Sequence, residues 1–122
     1  MHNLKELKIW NKAIDLSVAV YKTTVGFPKE EMYGLTSQIR RSAVSIPSNI
    51  SEGAGRNSNK EFLYFLGIAN GSSYELQTQL VISNKLNLIT NETLQSLVKE
   101  IEEIQKMNYT FQKTINNQIL AM

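Results

Sequence analysis

Apolar residues recur at steps of three and four along almost the whole chain, and only short polar joints interrupt them. That period places the apolar residues of each segment on one face of an α-helix. The first segment covers about residues 4–25, with Leu7, Trp10, Ile14, Val18, Tyr21 and Val25 as its expected inward line. It stops at Gly26-Phe27-Pro28, with glycine just past the end and proline beyond. The second covers about 31–53 and ends at Gly53-Ala54-Gly55. The third, about 59–86, opens with the capping box Ser58-Asn59-Lys60-Glu61 and points Phe62, Leu66, Ala69, Ser73, Leu76 and Leu80 inward. Asn87 follows it as a residue that tolerates the left-handed cap. The fourth, about 91–120, repeats Leu94, Leu97, Ile101, Ile104, Phe111 and Ile115. No stretch alternates with period two for long enough to make a strand. Short joints between long amphipathic helices force antiparallel neighbours, so the pattern predicts an all-α fold: an antiparallel up-down four-helix bundle in one domain of 122 residues.

The second helix contains Pro47, yet Leu35, Ile39, Ala43, Ile46 and Ile50 keep one stripe across it. A proline there removes a backbone donor and crowds the carbonyl four residues back, at about 3 kcal/mol. The continuous stripe predicts one Pro-kinked helix, with the orphaned carbonyl near Ala43 served by water or by Ser42, Ser45 or Ser48. A kink would present Asn49, Glu52 and Arg56 at the end of the bundle.

A second apolar line runs along the first helix. Ile9, Ala13, Leu16 and Val20 lie opposite the Trp10 to Val25 line, and Tyr64, Ile68 and Ile82 point away from the inward residues of the third helix. A helix apolar on two faces is buried on two faces. These seven residues are therefore the expected oligomer interface. Gly67 and Gly71 would either let another backbone approach or accommodate Trp10 or Tyr21 inside the bundle.

Composition narrows the chemistry more than it suggests it. The chain has no cysteine, which removes disulfides, zinc-thiolate sites and thiol catalysis. Its one histidine, His2, is at the terminus, and no Glu-x-x-His motif of the di-iron bundles occurs. Gly53-Ala54-Gly55-Arg56 lacks the preceding strand and the Gly-Lys-Ser/Thr ending of a phosphate loop. The sequence therefore argues against an enzyme and calls for no cofactor and no metal. The start, "MHNLKELKIW", mixes charge with apolar residues and reads as neither signal peptide nor membrane anchor, so a cytoplasmic protein with no membrane partner is expected.

Net charge is +2, unevenly spread: residues 1–60 hold nine Lys/Arg against five Asp/Glu, and the remainder four against six, out of totals of 13 and 11. Arg40 and Arg41 form one basic spot; Arg56 and Lys60, near the start of the third helix, form another where a helix dipole favours phosphate. These four are the candidate nucleic-acid contacts, electrostatic and sequence-tolerant, with no aromatic platform expected beside them. Glu52 and Glu75 are expected to form structural polar pairs across packed helices, with Arg40 or Arg41 as their partners.

The stretches Tyr33-Gly34-Leu35, Gln38-Ile39-Arg40-Arg41, Asn49-Ile50-Ser51-Glu52-Gly53 and Glu75-Leu76-Gln77-Thr78-Gln79-Leu80 lie in a region, Trp10 to Leu80, that resembles the four-helix-bundle proteins encoded in intervening sequences of bacterial 23S ribosomal RNA genes. Ser51 stands where that family usually has alanine. The resemblance implies a homo-oligomeric ring of five copies and no enzyme activity. A distant branch is the accessory protein of diversity-generating retroelements, which binds a reverse transcriptase and nucleic acid through a basic surface. Three functions follow as alternatives: an oligomer that associates with RNA, a scaffold for a protein partner, and a bundle holding a small anion at Arg56 and Lys60.

Overall fold

The computed structural model describes residues 2–121. Among them there are four α-helices and no strand: α1 (Lys8–Thr24), α2 (Leu35–Ala54), α3 (Asn59–Lys85) and α4 (Asn91–Ala121). Two boundaries differ from the expected ones. Leu4–Glu6 forms a separate 3-10 turn, because Leu7 is extended (ψ 110°) and ends the turn before α1 begins. Lys29–Glu31 is likewise a 3-10 turn, and Gly34, at φ −119° and ψ −110°, separates it from α2. The other ends follow their signals. Ser58 caps α3 by accepting from the Glu61 amide at 3.2 Å, and Asn87 takes the left-handed conformation at φ 61°.

Each helix meets two others. α1 touches α2 through Ser17 and Ala43, and through Thr24 and Arg40; α2 touches α3 through Ser42 and Glu75, and through Ser45 and Ser72. α3 meets α4 where Gln105 donates to Ser73 and Gln77, and where Asn108 donates to the Leu66 carbonyl. Lys12 and Glu103 tie α4 back to α1 at 3.1 Å. The core between them is mainly aliphatic, with Ile39, Ile46, Ile50, Leu66, Leu76, Leu80, Ile101 and Ile104 buried in one cluster, and with Phe62 packed against Phe111.

The two apolar faces of α1 exchange the roles expected of them. Ile9, Ala13, Leu16 and Val20 are in the bundle core, the last three with no exposed surface, so they cannot form an oligomer interface. Val18 and Val25 are 48% and 76% exposed, Tyr21 is also exposed, and Leu7, Trp10 and Ile14 are half-buried. The buried line includes Ser17 and Thr24, whose polarity hides it in a hydropathy pattern. Inside a helix both hydroxyls bond to their own backbone, Ser17 to the Ala13 carbonyl and Thr24 to that of Val20, each at 2.9 Å. A hydroxyl so satisfied packs at little cost. On α3 the expected pattern holds: its inward residues are buried, whereas Tyr64, Ile68 and Ile82 are exposed.

Ser17 of α1 reaches the backbone of α2. α2 continues through Pro47, which is buried and cannot donate to the Ala43 carbonyl. Ser17 Oγ lies 3.0 Å from that carbonyl oxygen. Its single proton therefore serves either Ala13 or Ala43. The hydroxyl within reach of the orphaned acceptor thus comes from the neighbouring helix, and Ser42 and Ser45 are engaged elsewhere, Ser42 with Glu75 and Ser45 with Ser72. At the other end of α2, a Cβ on Gly53 would lie 2.8 Å from Phe62 Cδ1 and from Phe65 Cβ. Only glycine permits that approach of α2 to α3. Gly67 and Gly71 face open space instead, so they accommodate neither Trp10 nor Tyr21.

Candidate nucleic-acid interface

The four candidate basic residues fall into two sites. Arg40 and Arg41 project from the second turn of α2, whereas Arg56 lies two residues beyond its end and Lys60 is the second residue of α3. Fifteen positions separate Arg41 from Arg56, and at ~1.5 Å per residue the two spots are roughly 20 Å apart.

Arg56 is held by the last turn of α2. Its Nη2 is 3.2 Å from Glu52 Oε1, four residues earlier, and its guanidinium lies 4.9 Å from the centre of the Phe65 ring. The start of α3 is occupied as well: Ser58 Oγ accepts from the Glu61 amide and lies 3.0 Å from the Glu61 carboxylate. Lys60 is exposed beside a hollow of about 500 Å³, shared with Asn57, Ser58, Asn59 and Ile119. Two carboxylates, Glu52 and Glu61, thus offset the positive charge at this end.

The other end is different. Arg40 Nε donates to Thr24 Oγ1 at 2.9 Å, and its guanidinium lies 4.6 Å above the Tyr21 ring. Such a stacked guanidinium keeps its outer nitrogens for other acceptors. Arg41 is exposed, and neither arginine pairs with a carboxylate among the described residues. The expected partners are engaged elsewhere, Glu52 with Arg56 and Glu75 with Ser42 at 2.7 Å. Thr36 and Ser37, each one turn before an arginine, lie on the same ridges of α2. With Tyr21 and Tyr33 they line an open cleft of about 340 Å³. Arg40 and Arg41 therefore do have aromatic neighbours.

Tyr21 and Tyr33 are absent from the sequence-derived site because they belong to other segments. Tyr21 lies in the last turn of one helix, and Tyr33 precedes the next by two residues. The short joint between them, Gly26-Phe27-Pro28, is the signal that could have brought them together, since it obliges the end of α1 to lie near the start of α2.

No group of three or more His, Cys, Asp or Glu is arranged to hold a metal ion among the described residues. No helix among them is long and apolar enough to cross a membrane.

No curated protein matches the chain at a significant level. A solved structure is similar: a protein of unknown function from the S23 ribosomal protein family of Bacteroides thetaiotaomicron, 27% identical, with a TM-score of 0.78 over 86% of this chain and 98% of that one. The pattern of the family described as 23S rRNA-intervening sequence protein matches residues 5–110, a span that includes α1, α2, α3, most of α4 and both basic sites. The chain therefore belongs to the 23S rRNA-intervening sequence protein family.

Proposed function

We infer that the protein is a non-enzymatic, cytoplasmic oligomer that associates with RNA through phosphate contacts. The observation that carries this reading is the pair Arg40 and Arg41 at one end of α2, two guanidinium groups without a carboxylate partner beside an open cleft. Guanidinium groups so placed suit phosphate oxygens, and phosphate contacts position a nucleic acid without reading its sequence. Family membership agrees with an RNA setting.

The architecture that would serve it is an antiparallel up-down bundle with a bend at Pro47, assembled into a ring of five copies. Contacts between Thr24 and Arg40, then Ser17 and Ala43, support the opposed direction of α1 and α2. For assembly, the outer face of α3 is the better-supported surface: Tyr64, Ile68 and Ile82 are exposed there, and Gly67 and Gly71 leave room for a second backbone. Five copies at +2 each would carry +10, which turns weak single-site contacts into avid binding.

Filter binding of the intact protein to unrelated RNAs over a salt series, with sedimentation in parallel, tests the reading. The expected result is retention at low salt that falls steeply as salt rises, by an assembled species. No retention at the lowest salt moves the function to a scaffold for a protein partner, for which the same exposed apolar faces of α1 and α3 would be the docking surface.

A further inference from the structure

The cleft at the start of α2 holds more than charge. Gly34, in the cap position, offers no side-chain acceptor to the first turn of the helix, and the amides of Thr36 and Ser37 donate to no group of the described chain. Glu31 reaches only the Leu35 amide, at 3.4 Å. Thr36 is 2% exposed and its hydroxyl has no hydrogen-bond partner. A hydroxyl buried without a partner is unfavourable, and this one belongs to a residue that lines the cleft. An anion in the cleft would be set against the free amides at the positive end of a 20-residue helix, the hydroxyls of Thr36 and Ser37 and the Arg41 guanidinium, with the Glu31 carboxylate at the Leu35 amide opposing it.

Phosphate alone does not account for the aromatic side of the cleft. Tyr33 is 98% exposed, with its ring standing free at the mouth. An aromatic ring beside a phosphate-binding corner is the arrangement by which single strands are held, the backbone on positive groups and a base on the ring. The volume, about 340 Å³, falls within the ~300–1,000 Å³ of small-ligand clefts and suits one nucleotide.

We propose that this cleft is a subsite for one unpaired nucleotide of single-stranded RNA, its phosphate held by Arg41 and the start of α2 and its base stacked on Tyr33. The proposal rests on the RNA reading above and adds which form of RNA is preferred. A duplex keeps its bases stacked on one another and offers no free face to Tyr33.

Anisotropy of an end-labelled single-stranded RNA, of the same strand annealed to its complement, and competition by a nucleoside monophosphate test it with the intact protein. The single strand should bind at least tenfold more tightly than the duplex. Tyr33→Ala should weaken single-strand binding about five- to hundredfold, the range of one stacked base, and leave duplex binding unchanged, while Tyr33→Phe should retain it. Thr36→Val should weaken single-strand binding severalfold without lowering the melting temperature, because the hydroxyl it removes has no partner in the fold.

Equal binding of both forms, indifferent to Tyr33→Ala, overturns the proposal and leaves the RNA reading standing; no binding of either form at low salt overturns both. Competition by the monophosphate at the concentration of the strand assigns the cleft to a free nucleotide instead. A Tyr33→Ala variant of lower sedimenting mass places the ring between copies of the chain and overturns the assignment too.

Discussion

Two basic residues stand at each end of α2, Arg40 and Arg41 in its second turn and Arg56 and Lys60 beyond its last residue, and of the four only Arg56 is closed on a carboxylate among the described residues. At the C-terminal end, Arg56 is closed on Glu52 at 3.2 Å, and the amide that would greet an anion is taken by Ser58 within its cap with Glu61. At the N-terminal end, Arg40 is oriented by Thr24 and Tyr21 without being neutralised, Arg41 has no carboxylate partner among the described residues, and the Glu31 carboxylate reaches the Leu35 amide at 3.4 Å but neither arginine. Equal formal charge therefore gives unequal capacity to bind phosphate. Local hydrogen bonding decides which basic residues are offered, a quantity that net charge does not capture.

The strongest way to break this comparison is to remove the frame that holds both ends. Leu16→Glu or Val20→Asp puts a carboxylate into a fully enclosed apolar site, and a loss of several kcal/mol, enough to unfold much of the protein, is expected by circular dichroism. Val18→Asp, on the exposed face of the same helix, should change stability by about 0.5 kcal/mol or less. Equal effects of the two kinds of change would contradict the assignment of the α1 faces.

Gly53→Ala acts on the C-terminal end alone. The added methyl meets Phe62 and Phe65 at 2.8 Å, so a loss of about 1–3 kcal/mol is expected in chemical unfolding, and the junction carrying Arg56 and Lys60 should shift with it. Gly67→Ala, with nothing within 4 Å, should instead stabilise an isolated chain slightly through helix propensity.

The middle of α2 offers a sharper test, smaller in size. Ser17→Ala should cost about 1–2 kcal/mol because it strands the Ala43 carbonyl. In a Pro47→Ala background that carbonyl regains a donor in its own helix, and the cost of Ser17→Ala should shrink toward zero. A cost unchanged by Pro47→Ala in this double-mutant cycle would mean that Ser17 matters for packing alone.

Much of this was legible in the sequence. The period of three and four yields four helices, and Ser58 with Glu61, and Asn87, mark ends that the structure keeps. The choice of face on α1 was not legible, because Ser17 and Thr24 read as polar although both bond within the helix, while Trp10 and Tyr21 weigh heavily in any apolar sum. The candidate arginines could be picked out by type. Their availability could not, since it depends on Glu52 choosing Arg56, on Glu75 meeting Ser42, and on Tyr21 arriving from another helix.

The most direct test of the central claim compares the two ends in one assay, the salt dependence of RNA binding by the Arg40→Ala/Arg41→Ala and Arg56→Ala/Lys60→Ala proteins. Every phosphate that a variant no longer neutralises flattens the slope of log affinity against log salt by about 0.7 for a single strand. The first variant should lose most of the slope and of the low-salt affinity, the second should stay near the unmodified protein, and both should keep their helix content. A larger loss from the Arg56/Lys60 change, or equal losses from both, would contradict that claim.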